Sequence, residues 1–312
     1  MTEHPEHKTR RHTLECMAWA GTGLIWTLAG GIPRASLFGS AAAAEAGFSF
    51  AQISDSHIGF ARDPNTDTPA TLAAGLAMVK DMPAKPAFIL HTGDVTHLSK
   101  PAEFDTAEKI LGATGLDTHY VAGEHDVLDE KGTAPFIARF QPRHTQGAAG
   151  GAFYSFDANG VHFVGLNNVI DLKAGGLGFL GATQLAWLER DLTGRSASTP
   201  IVVFAHIPLW TVYEKWGWGT DDAAQALTLL KRFGSVTVLN GHIHQVMQKV
   251  EGNVAFHSAR STAFPQPAPG SAPSPGPMKV EAARLRSFLG VASVTLVPGT
   301  GPLAIVHTSL GA

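Results

Sequence analysis

The sequence predicts an α/β fold, and three observations lead to that prediction. Short apolar segments with the composition of buried strands alternate along the chain with segments of helical length and pattern. Strong turn signals separate neighbouring segments, such as Ala158-Asn159-Gly160 between two apolar runs. Histidine and carboxylate residues are concentrated directly after the predicted strands. Alternation of strands and helices of this kind is typical of an α/β domain.

Three strands and two helices are predicted in the first half of the domain. The strands are short and apolar, and each ends at a polar cluster. The first helix has Pro69 in its first turn, where a proline is well tolerated. The strands span residues 48–54, 87–91 and 118–122, and the helices span 68–81 and 101–113.

In the second half of the domain, the sequence predicts further strands and helices, and three pairs of strands are predicted to form hairpins. Glycine-rich residues 167–181 are predicted to form a loop, and proline-rich residues 264–277 a loop or a surface lid. The strands span 153–157, 161–166, 201–205, 235–240, 245–250, 254–258, 291–296 and 303–308. The helices span 182–192, 221–233 and 280–289.

Composition limits the classes of function. The chain has 312 residues, 44% of them apolar, which is enough for a sizeable buried core. The formal net charge is −3, so the sequence shows no basic surplus for a nucleic-acid or anionic-membrane surface. The single cysteine, Cys16, lies in the N-terminal leader, so cysteine usage does not indicate the redox compartment.

The N-terminal leader predicts export. Arg10 and Arg11 precede a moderately apolar segment at 17–28, and small residues at 42–46 supply cleavage candidates. This order is similar to a twin-arginine (Tat) export signal. We therefore expect a signal peptide at 1–46, recognised by the Tat export machinery, and a periplasmic or otherwise exported domain at 47–312. Glycines interrupt the apolar segment, so no stable membrane span is expected; an uncleaved anchor or a tail is the alternative.

Five clusters of carboxylate and imidazole side chains, each after a predicted strand, carry the chemistry. Such groups suit divalent or trivalent ions such as Fe, Mn and Zn. Two ions about 3.5–4 Å apart that share a carboxylate can clamp a phosphoryl group during in-line attack, and such a site needs about seven ligands. The clusters supply Asp55, His57, Asp94, Glu124, His206, His242 and His244.

The order and spacing of these clusters resemble the calcineurin-like metallophosphoesterase superfamily, whose motifs are D-x-H, G-D, G-N-H-[DE], a lone H and G-H-x-H. The match runs from Asp55 to His244 and covers most of the domain. Within the superfamily the chain is most similar to bacterial class III cyclic-nucleotide and glycerophosphodiester phosphodiesterases. The resemblance implies a four-layer double βαβ sandwich, in which helices flank two mixed sheets and metals lie at the carboxyl ends of the strands.

The resemblance also implies a role for each residue. A hydroxide that bridges two metal ions attacks phosphorus, and Asp94 bridges the same two ions. His125 occupies the position of the family's general acid, or of an electrostatic stabiliser of the leaving oxygen, and Asp126 is expected to orient the His125 imidazole by a hydrogen bond. In this scheme the first metal is bound by Asp55, His57 and His244, and the second by Glu124, His206 and His242.

Glu124 departs from the family pattern, which has asparagine at this position. Glutamate is longer by one methylene and adds a negative charge, which reduces the positive surplus of the metal pair. In one interpretation Glu124 remains a ligand, and its charge shifts the preference from dianionic monoesters towards singly charged diesters. In the other interpretation the site is impaired, or it holds one metal tightly and the other poorly.

The sequence therefore predicts an exported, dinuclear metal-dependent hydrolase that cleaves a small-molecule phosphoester, with diesters preferred over monoesters. A phosphomonoesterase or a nucleotide pyrophosphatase is the alternative enzyme. A metal-dependent binding module without turnover is the alternative from another class. The full ligand set and His125 disfavour the binding module, and only Glu124 favours it. The oligomeric state stays open.

Other residues are weaker candidates. Histidines outside the motifs are expected to be core or surface residues, with His97 a candidate for support of the site. Arg143 and His144 lie in a loop that either reaches the substrate phosphate or faces solvent. Four aromatic residues shortly after His206 predict either a wall over the site or ordinary packing or an oligomer contact. They are Trp210, Tyr213, Trp216 and Trp218.

Overall fold

The chain divides into two units, Met1–Ala46 and Gly47–Ala312. In the first unit, strands β1 (Leu24–Ala29) and β2 (Ile32–Leu37) pair antiparallel. The predicted twin-arginine pair and the cleavage candidates lie outside the described residues, as do Arg143 and His144. The computed structural model describes residues 48–128, 132–141, 152–296 and 303–311, together with the backbone of three strands at 24–29, 32–37 and 146–147.

Five strands of the second unit form the first sheet. They are β3 (Ser49–Ile53), β4 (Ile89–His91), β5 (Thr118–Tyr120), β13 (Gly290–Thr295) and β14 (Ala304–Ser309), in the order β14-β13-β3-β4-β5. β3, β4 and β5 run parallel, and their last residues, Ile53, His91 and Tyr120, lie side by side in register. β13 pairs antiparallel with β3 and β14, so the sheet is mixed.

Seven strands form the second sheet. They are β6 (Gln146–Gly147), β7 (Tyr154–Ala158), β8 (Val161–Gly165), β9 (Ile201–Phe204), β10 (Val236–Asn240), β11 (Gln248–Glu251) and β12 (Val254–Ser258). Their order is β11-β12-β10-β9-β8-β7-β6. The four central strands β12, β10, β9 and β8 are parallel, and antiparallel strands flank them on both sides. This sheet is therefore also mixed.

Helices lie on the outer side of each sheet. In chain order they are α1 (Thr68–Lys80), α2 (Pro101–Gly112), α3 (Ala134–Phe140), α4 (Gly181–Leu192), α5 (Ala223–Leu230) and α6 (Ala282–Phe288). The Asp67 carboxylate caps α1 by accepting a hydrogen bond from the Ala70 amide at 3.0 Å. Within the described residues, no helix is both long enough and apolar enough to cross a bilayer.

Three apolar layers hold the sheets and helices together. The middle layer lies between the two sheets, where the rings of Phe50 on β3 and Phe163 on β8 meet at 5.3 Å. One outer layer packs α1, α2 and α6 against the first sheet, and the other packs α4 and α5 against the second. Burial of each large apolar side chain contributes roughly 1.5–3 kcal/mol. The order helix, sheet, sheet, helix confirms the predicted four-layer α/β sandwich.

The observed elements depart from the predicted ones at two places in particular. Helix α3 was not predicted, because it is short and buries only Phe136 and Phe140, one turn apart. Strand β11 begins at Gln248 rather than at 245. The Gln245 side-chain amide donates to the carbonyl oxygens of Gln266 and Pro267 at 3.1 and 2.7 Å, so this residue ties the preceding loop to the proline-rich segment instead.

Candidate metal site

The predicted site residues lie just beyond the carboxyl ends of five strands. In the first sheet, Asp55, Asp94 and Glu124 follow β3, β4 and β5. In the second sheet, His206 and His242 follow β9 and β10. Strands that run parallel end at the same edge of a sheet. The two edges meet, since the His242 amide donates to the Asp55 carboxylate at 3.1 Å.

Backbone conformation turns these residues into one site. Asp55, His57, Asp94, His242 and His244 have φ angles of 52°, 39°, 51°, 67° and 52°. The left-handed region is uncommon for residues other than glycine and costs of order 1–3 kcal/mol each. Five of the eight non-glycine residues with positive φ in the described part of the chain are ligand candidates, so the strain is concentrated at this edge and indicates a functional site.

Asp55, His57 and His244 form the first of two ligand sets. The Nε2 atoms of His57 and His244 are 3.3 Å apart, and Nε2 of His244 is 3.2 Å from Asp55 Oδ1. The three ligand atoms lie within 4.8 Å of one another, and all three residues are buried. The structure therefore brings together the residues that were predicted to share the first metal.

Glu124, His206 and His242 form the second ligand set. Glu124 Oε2 is 2.9 Å from His206 Nε2, and its Oε1 is 3.0 Å from His242 Nδ1. The ligand atoms of this set also lie within 4.8 Å of one another. The longer side chain of Glu124 thus reaches both imidazoles, and it occupies the place in the cluster that the sequence assigned to it.

Asp94 lies between the two sets. Its Oδ2 atom is 3.4 Å from His57 Nε2 in the first set and 3.4 Å from His206 Nε2 in the second. Its Oδ1 atom accepts a hydrogen bond from the His125 amide at 2.9 Å. One carboxylate oxygen is therefore fixed by the backbone, while the other faces both sets at equal distance.

Backbone carbonyl groups orient two of the imidazoles. His206 Nδ1 donates to the Thr92 carbonyl oxygen at 2.7 Å, and His244 Nδ1 donates to that of Phe264 at 2.6 Å. A proton fixed on Nδ1 leaves Nε2 as the atom with a free lone pair, as in many histidine ligands of metals. Both Nε2 atoms face the carboxylates of the site.

The donor set fits a metal ion of the divalent class. His206 Nε2 and Glu124 Oε2 are buried 2.9 Å apart, but with the His206 proton on Nδ1 no hydrogen lies between them, and among the described residues Nε2 of His242 is also buried without a hydrogen-bond partner. A buried polar atom without a partner is unfavourable by about 1–3 kcal/mol, and a bound cation would satisfy these atoms. Imidazole nitrogen with carboxylate oxygen is a ligand combination that Zn, Mn and Fe accept.

Electrostatics agree with cation binding. Burial alone would raise the pKa of Glu124, but His242 and His206 outweigh it and hold the pKa well below its usual range. Burial alone would lower the pKa of His206, but Asp94 and Glu124 outweigh it and raise the pKa well above its usual range. The raised pKa of His206 records the negative potential of Asp94 and Glu124, which attracts positive charge, and the lowered pKa of Glu124 records the positive charge of its two imidazole partners.

His125 and Asp126 have partners that the sequence did not reveal. His125 Nδ1 donates to the His97 carbonyl oxygen at 2.7 Å. The prediction that Asp126 orients His125 by a hydrogen bond was wrong. Both Asp126 oxygens accept from the loop around Asp94 instead, from the amides of Val95 and Thr96 at 3.0 and 2.8 Å and from the Thr96 hydroxyl at 2.9 Å. Asp126 therefore holds the loop that carries Asp94 in place by hydrogen bonds.

His97 supports the site through its ring as well as its carbonyl group. Its imidazole stacks on that of His125, with ring centroids 4.9 Å apart and planes 15° apart. Its Nδ1 atom is 3.4 Å from Nδ1 of His57. Burial, with the nearby charge of His125, lowers the pKa of His97 to about 4. The only signal for this residue in the sequence is its position three residues after Asp94.

A cleft of about 220 Å³ opens over the two sets. Of the four aromatic candidates, Trp218 lines the cleft, whereas Trp210 packs on Phe256 at 5.1 Å. Segment 264–277 supplies a second wall. Arg62 also lines the cleft, and no sequence motif pointed to it. Among the described residues, the lining comprises His57, Arg62, Asp94, His97, Glu124, His125, Trp218, His242, Phe264, Gln266, Pro275, Gly276 and Pro277.

Close packing explains the glycine that precedes His242. A Cβ atom on Gly241 would lie 2.0 Å from Ser54 Oγ and 2.5 Å from Asp55 Oδ2. Real Cβ atoms do not approach other atoms so closely, so any side chain here displaces Asp55. Glycine is therefore required at position 241 so that His242, after a strand of the second sheet, can lie beside Asp55, after a strand of the first.

We expect Gly241→Ala to weaken metal binding by the first set by at least about 10-fold, because Asp55 must move. Metal content after dialysis against a defined free-metal buffer measures the effect. Gly112→Ala is the matched control, since a Cβ there meets nothing within 4 Å, and helix propensity predicts a gain of up to about 1 kcal/mol in stability. Equal metal content in wild type and Gly241→Ala would contradict this packing argument.

Comparisons with known proteins agree with the fold and the motifs. The calcineurin-like phosphoesterase family matches residues 48–246. A 3',5'-cyclic-nucleotide phosphodiesterase of Nostoc sp. is 24% identical over 69% of this chain and 79% of its own length. A probable cyclic nucleotide phosphodiesterase of Psychrobacter sp. is 26% identical over 56% of this chain and 52% of its own length. The chain thus spans only about half of the Psychrobacter protein.

A structural comparison adds a dimetal phosphatase of Danio rerio, with a TM-score of 0.63 over 84% of this chain and 95% of that chain. At 14% sequence identity this likeness shows the fold alone. A sandwich of two mixed sheets, with histidine and carboxylate clusters at the strand ends, defines a class of metal-binding phosphoesterases. The match over residues 48–246 shows that this chain belongs to the calcineurin-like phosphoesterase family.

Proposed function

We propose that the protein is an exported hydrolase that uses two metal ions to cleave phosphodiesters. The observation that carries the proposal is the position of Asp94, whose Oδ2 atom lies 3.4 Å from an imidazole of each ligand set. A single carboxylate oxygen shared by two ligand sets is the arrangement that a two-metal site needs. Export is proposed from the twin-arginine leader alone.

The chain's own residues supply positioning and a proton. Two bound cations would supply a water of lowered pKa as nucleophile and stabilise charge on the phosphoryl oxygens. His125 lines the cleft, and its Nδ1 atom is occupied by the His97 carbonyl group. Its Nε2 atom is therefore the one that donates a proton to the leaving oxygen. Stacking against His97 holds the ring in this orientation.

Two features support diesters over monoesters. Asp55, Asp94 and Glu124 place three carboxylates around the site, and their combined charge repels a dianionic monoester more than a singly charged diester. The cleft of about 220 Å³ is smaller than the roughly 300–1,000 Å³ typical of sites for drug-sized ligands, so a small ester is expected. The two curated relatives named above are cyclic-nucleotide phosphodiesterases by name.

Turnover of defined esters by metal-defined protein tests the proposal. Chelated protein is reloaded with Mn, Zn or Fe and assayed with bis-p-nitrophenyl phosphate and with p-nitrophenyl phosphate. We expect turnover that depends on added metal and a higher kcat/KM for the diester. A higher value for the monoester would favour the phosphomonoesterase. No turnover with any metal, despite two bound ions, would favour a non-catalytic binding module.

Glu124 gives the diester preference a direct test. We expect Glu124→Asn to retain metal and to lower the diester-to-monoester ratio of kcat/KM by about 10-fold, or roughly 1.4 kcal/mol. The physical reason is the removal of one negative charge between His206 and His242. Steady-state kinetics on both nitrophenyl esters, with metal content measured in parallel, give the ratio.

Glu124→Gln is the matched control, because it removes the charge but keeps the length of the side chain. The same fall in the ratio for both variants would assign the effect to charge. An unchanged ratio in both variants, with both ions bound, would show that Glu124 does not set the diester preference.

A further inference from the structure

Arg62 is a basic residue at the mouth of the cleft whose role the proposed reaction does not explain. It is exposed, and it is the only lysine or arginine among the described residues that line the cleft. In the part of the chain that the structure describes, no carboxylate forms an ion pair with it. Its guanidinium lies over the Phe60 ring, 5.4 Å from the centroid. An unpaired arginine beside a phosphoester site is suited to an anionic group.

The turn that carries Arg62 is anchored to the walls of the cleft. The Arg62 carbonyl oxygen accepts from the Asn65 amide at 2.9 Å. The buried Asn65 side chain donates in turn to the Ala263 carbonyl oxygen at 2.8 Å and to the Thr71 hydroxyl at 2.9 Å. These bonds tie the turn to helix α1 and to the segment that precedes Phe264. The Arg62 backbone is therefore held in place before any ligand binds.

Contacts place Arg62 on the side of the cleft that carries His125. The Phe60 ring under the guanidinium also packs edge-on against His97, with centroids 5.2 Å apart. His97 stacks in turn on His125 at 4.9 Å. In the proposed reaction His125 protonates the leaving oxygen, so the leaving group would lie on the side of the cleft that these contacts share with Arg62.

We propose that Arg62 binds a negatively charged group on the leaving alcohol, so that the preferred substrates are phosphodiesters whose leaving group carries a carboxylate or a second phosphate. This inference rests on the proposed phosphodiesterase function, because that function defines the leaving-group side. The guanidinium offers a planar pair of N–H donors that a carboxylate or a phosphate can accept. An uncharged leaving group offers no such partner.

A matched pair of esters tests this inference. Methyl 4-carboxyphenyl phosphate carries a charge on its leaving group, and methyl 4-carbamoylphenyl phosphate does not. Metal-loaded wild type, Arg62→Ala and Arg62→Lys are assayed with both. We expect Arg62→Ala to raise KM about 10-fold for the carboxylate ester and less than about 2-fold for the carboxamide. The larger change is the size expected when one hydrogen bond between charged groups is lost. For Arg62→Lys we expect a KM for the carboxylate ester between those of wild type and Arg62→Ala. Lysine keeps the positive charge but lacks the planar pair of N–H donors.

Lys100→Ala is the control variant, because Lys100 is exposed and close in sequence to His97 but does not line the cleft. Equal changes in KM for the two esters in Arg62→Ala, or the same selective effect in Lys100→Ala, would overturn the inference. If wild type hydrolyses neither ester, the proposed function fails. The inference is then tested by calorimetric binding of 4-carboxyphenyl and 4-carbamoylphenyl phosphate. A selective loss of the carboxylate ligand in Arg62→Ala supports it, and equal affinities overturn it.

Discussion

Replacement of Asp94 by asparagine is expected to lower kcat/KM for a phosphodiester by more than about 100-fold and to remove one metal ion per chain. Loss of residues that only support a metal ligand already costs about 10–100-fold. Asp94 Oδ2 faces both ligand sets at 3.4 Å, so its charge acts on both ions. Asparagine retains the shape and an Oδ1 acceptor for the His125 amide, so the fold is expected to survive.

Metal analysis and turnover of bis-p-nitrophenyl phosphate measure the two effects on the same sample. Asp171→Asn is a suitable control, because Asp171 is 69% exposed and, within the described residues, pairs only with Lys173 at the surface. It should match wild type in both measurements. If Asp94→Asn kept both ions and turned over within about 10-fold of wild type, Asp94 would not be the shared ligand.

A His125→Ala variant is expected to show a loss of rate that depends on the leaving group. An alkyl leaving group departs as a strongly basic alkoxide and needs a proton, whereas p-nitrophenolate does not. General acid catalysis contributes about 10²–10⁴-fold, so we expect a loss of that size with an alkyl diester and a much smaller one with the nitrophenyl diester. Steady-state kcat/KM on the two substrates, at equal metal content, gives the comparison.

His125→Asn serves as the control for the cavity that alanine leaves, since asparagine fills part of the space but does not transfer a proton. Both variants should show the same dependence on the leaving group. Equal losses with both substrates would mean that the His125 side chain positions the site, through its bond to the His97 carbonyl oxygen and its contact with the His57 ring, rather than donating a proton.

The sequence was sufficient for the fold class, because the alternation of strands and helices is a local pattern. The division of the seven ligand candidates into two sets came from the family resemblance, and the structure places the members of each set close together. Each candidate directly follows a strand, and parallel strands in register bring their ends together, as Ile53, His91 and Tyr120 show. The role of each candidate in metal binding stays a prediction. The structure places the residues within reach of one another, and metal content has to be measured.

Residues whose partners are distant in sequence or are backbone atoms could not be predicted. Asp126 was assigned to the neighbouring His125, but its oxygens accept from the amides of Val95 and Thr96, which lie about thirty residues earlier. No side-chain pattern encodes such bonds. Arg62 reaches the cleft because its turn is tied to Ala263 through Asn65. Neither Asn65 nor Ala263 belongs to a sequence motif, so nothing in the sequence indicated that they are in contact.

The central claim is that two cations bind where the carboxyl-end edges of the two sheets meet and that they share Asp94. Anomalous scattering from crystals of Mn-loaded protein tests it most directly. We predict two peaks, one among Asp55, His57 and His244 and the other among Glu124, His206 and His242, with the Asp94 carboxylate in contact with both. A single peak, or two peaks of which one lies outside these sets, would contradict the claim.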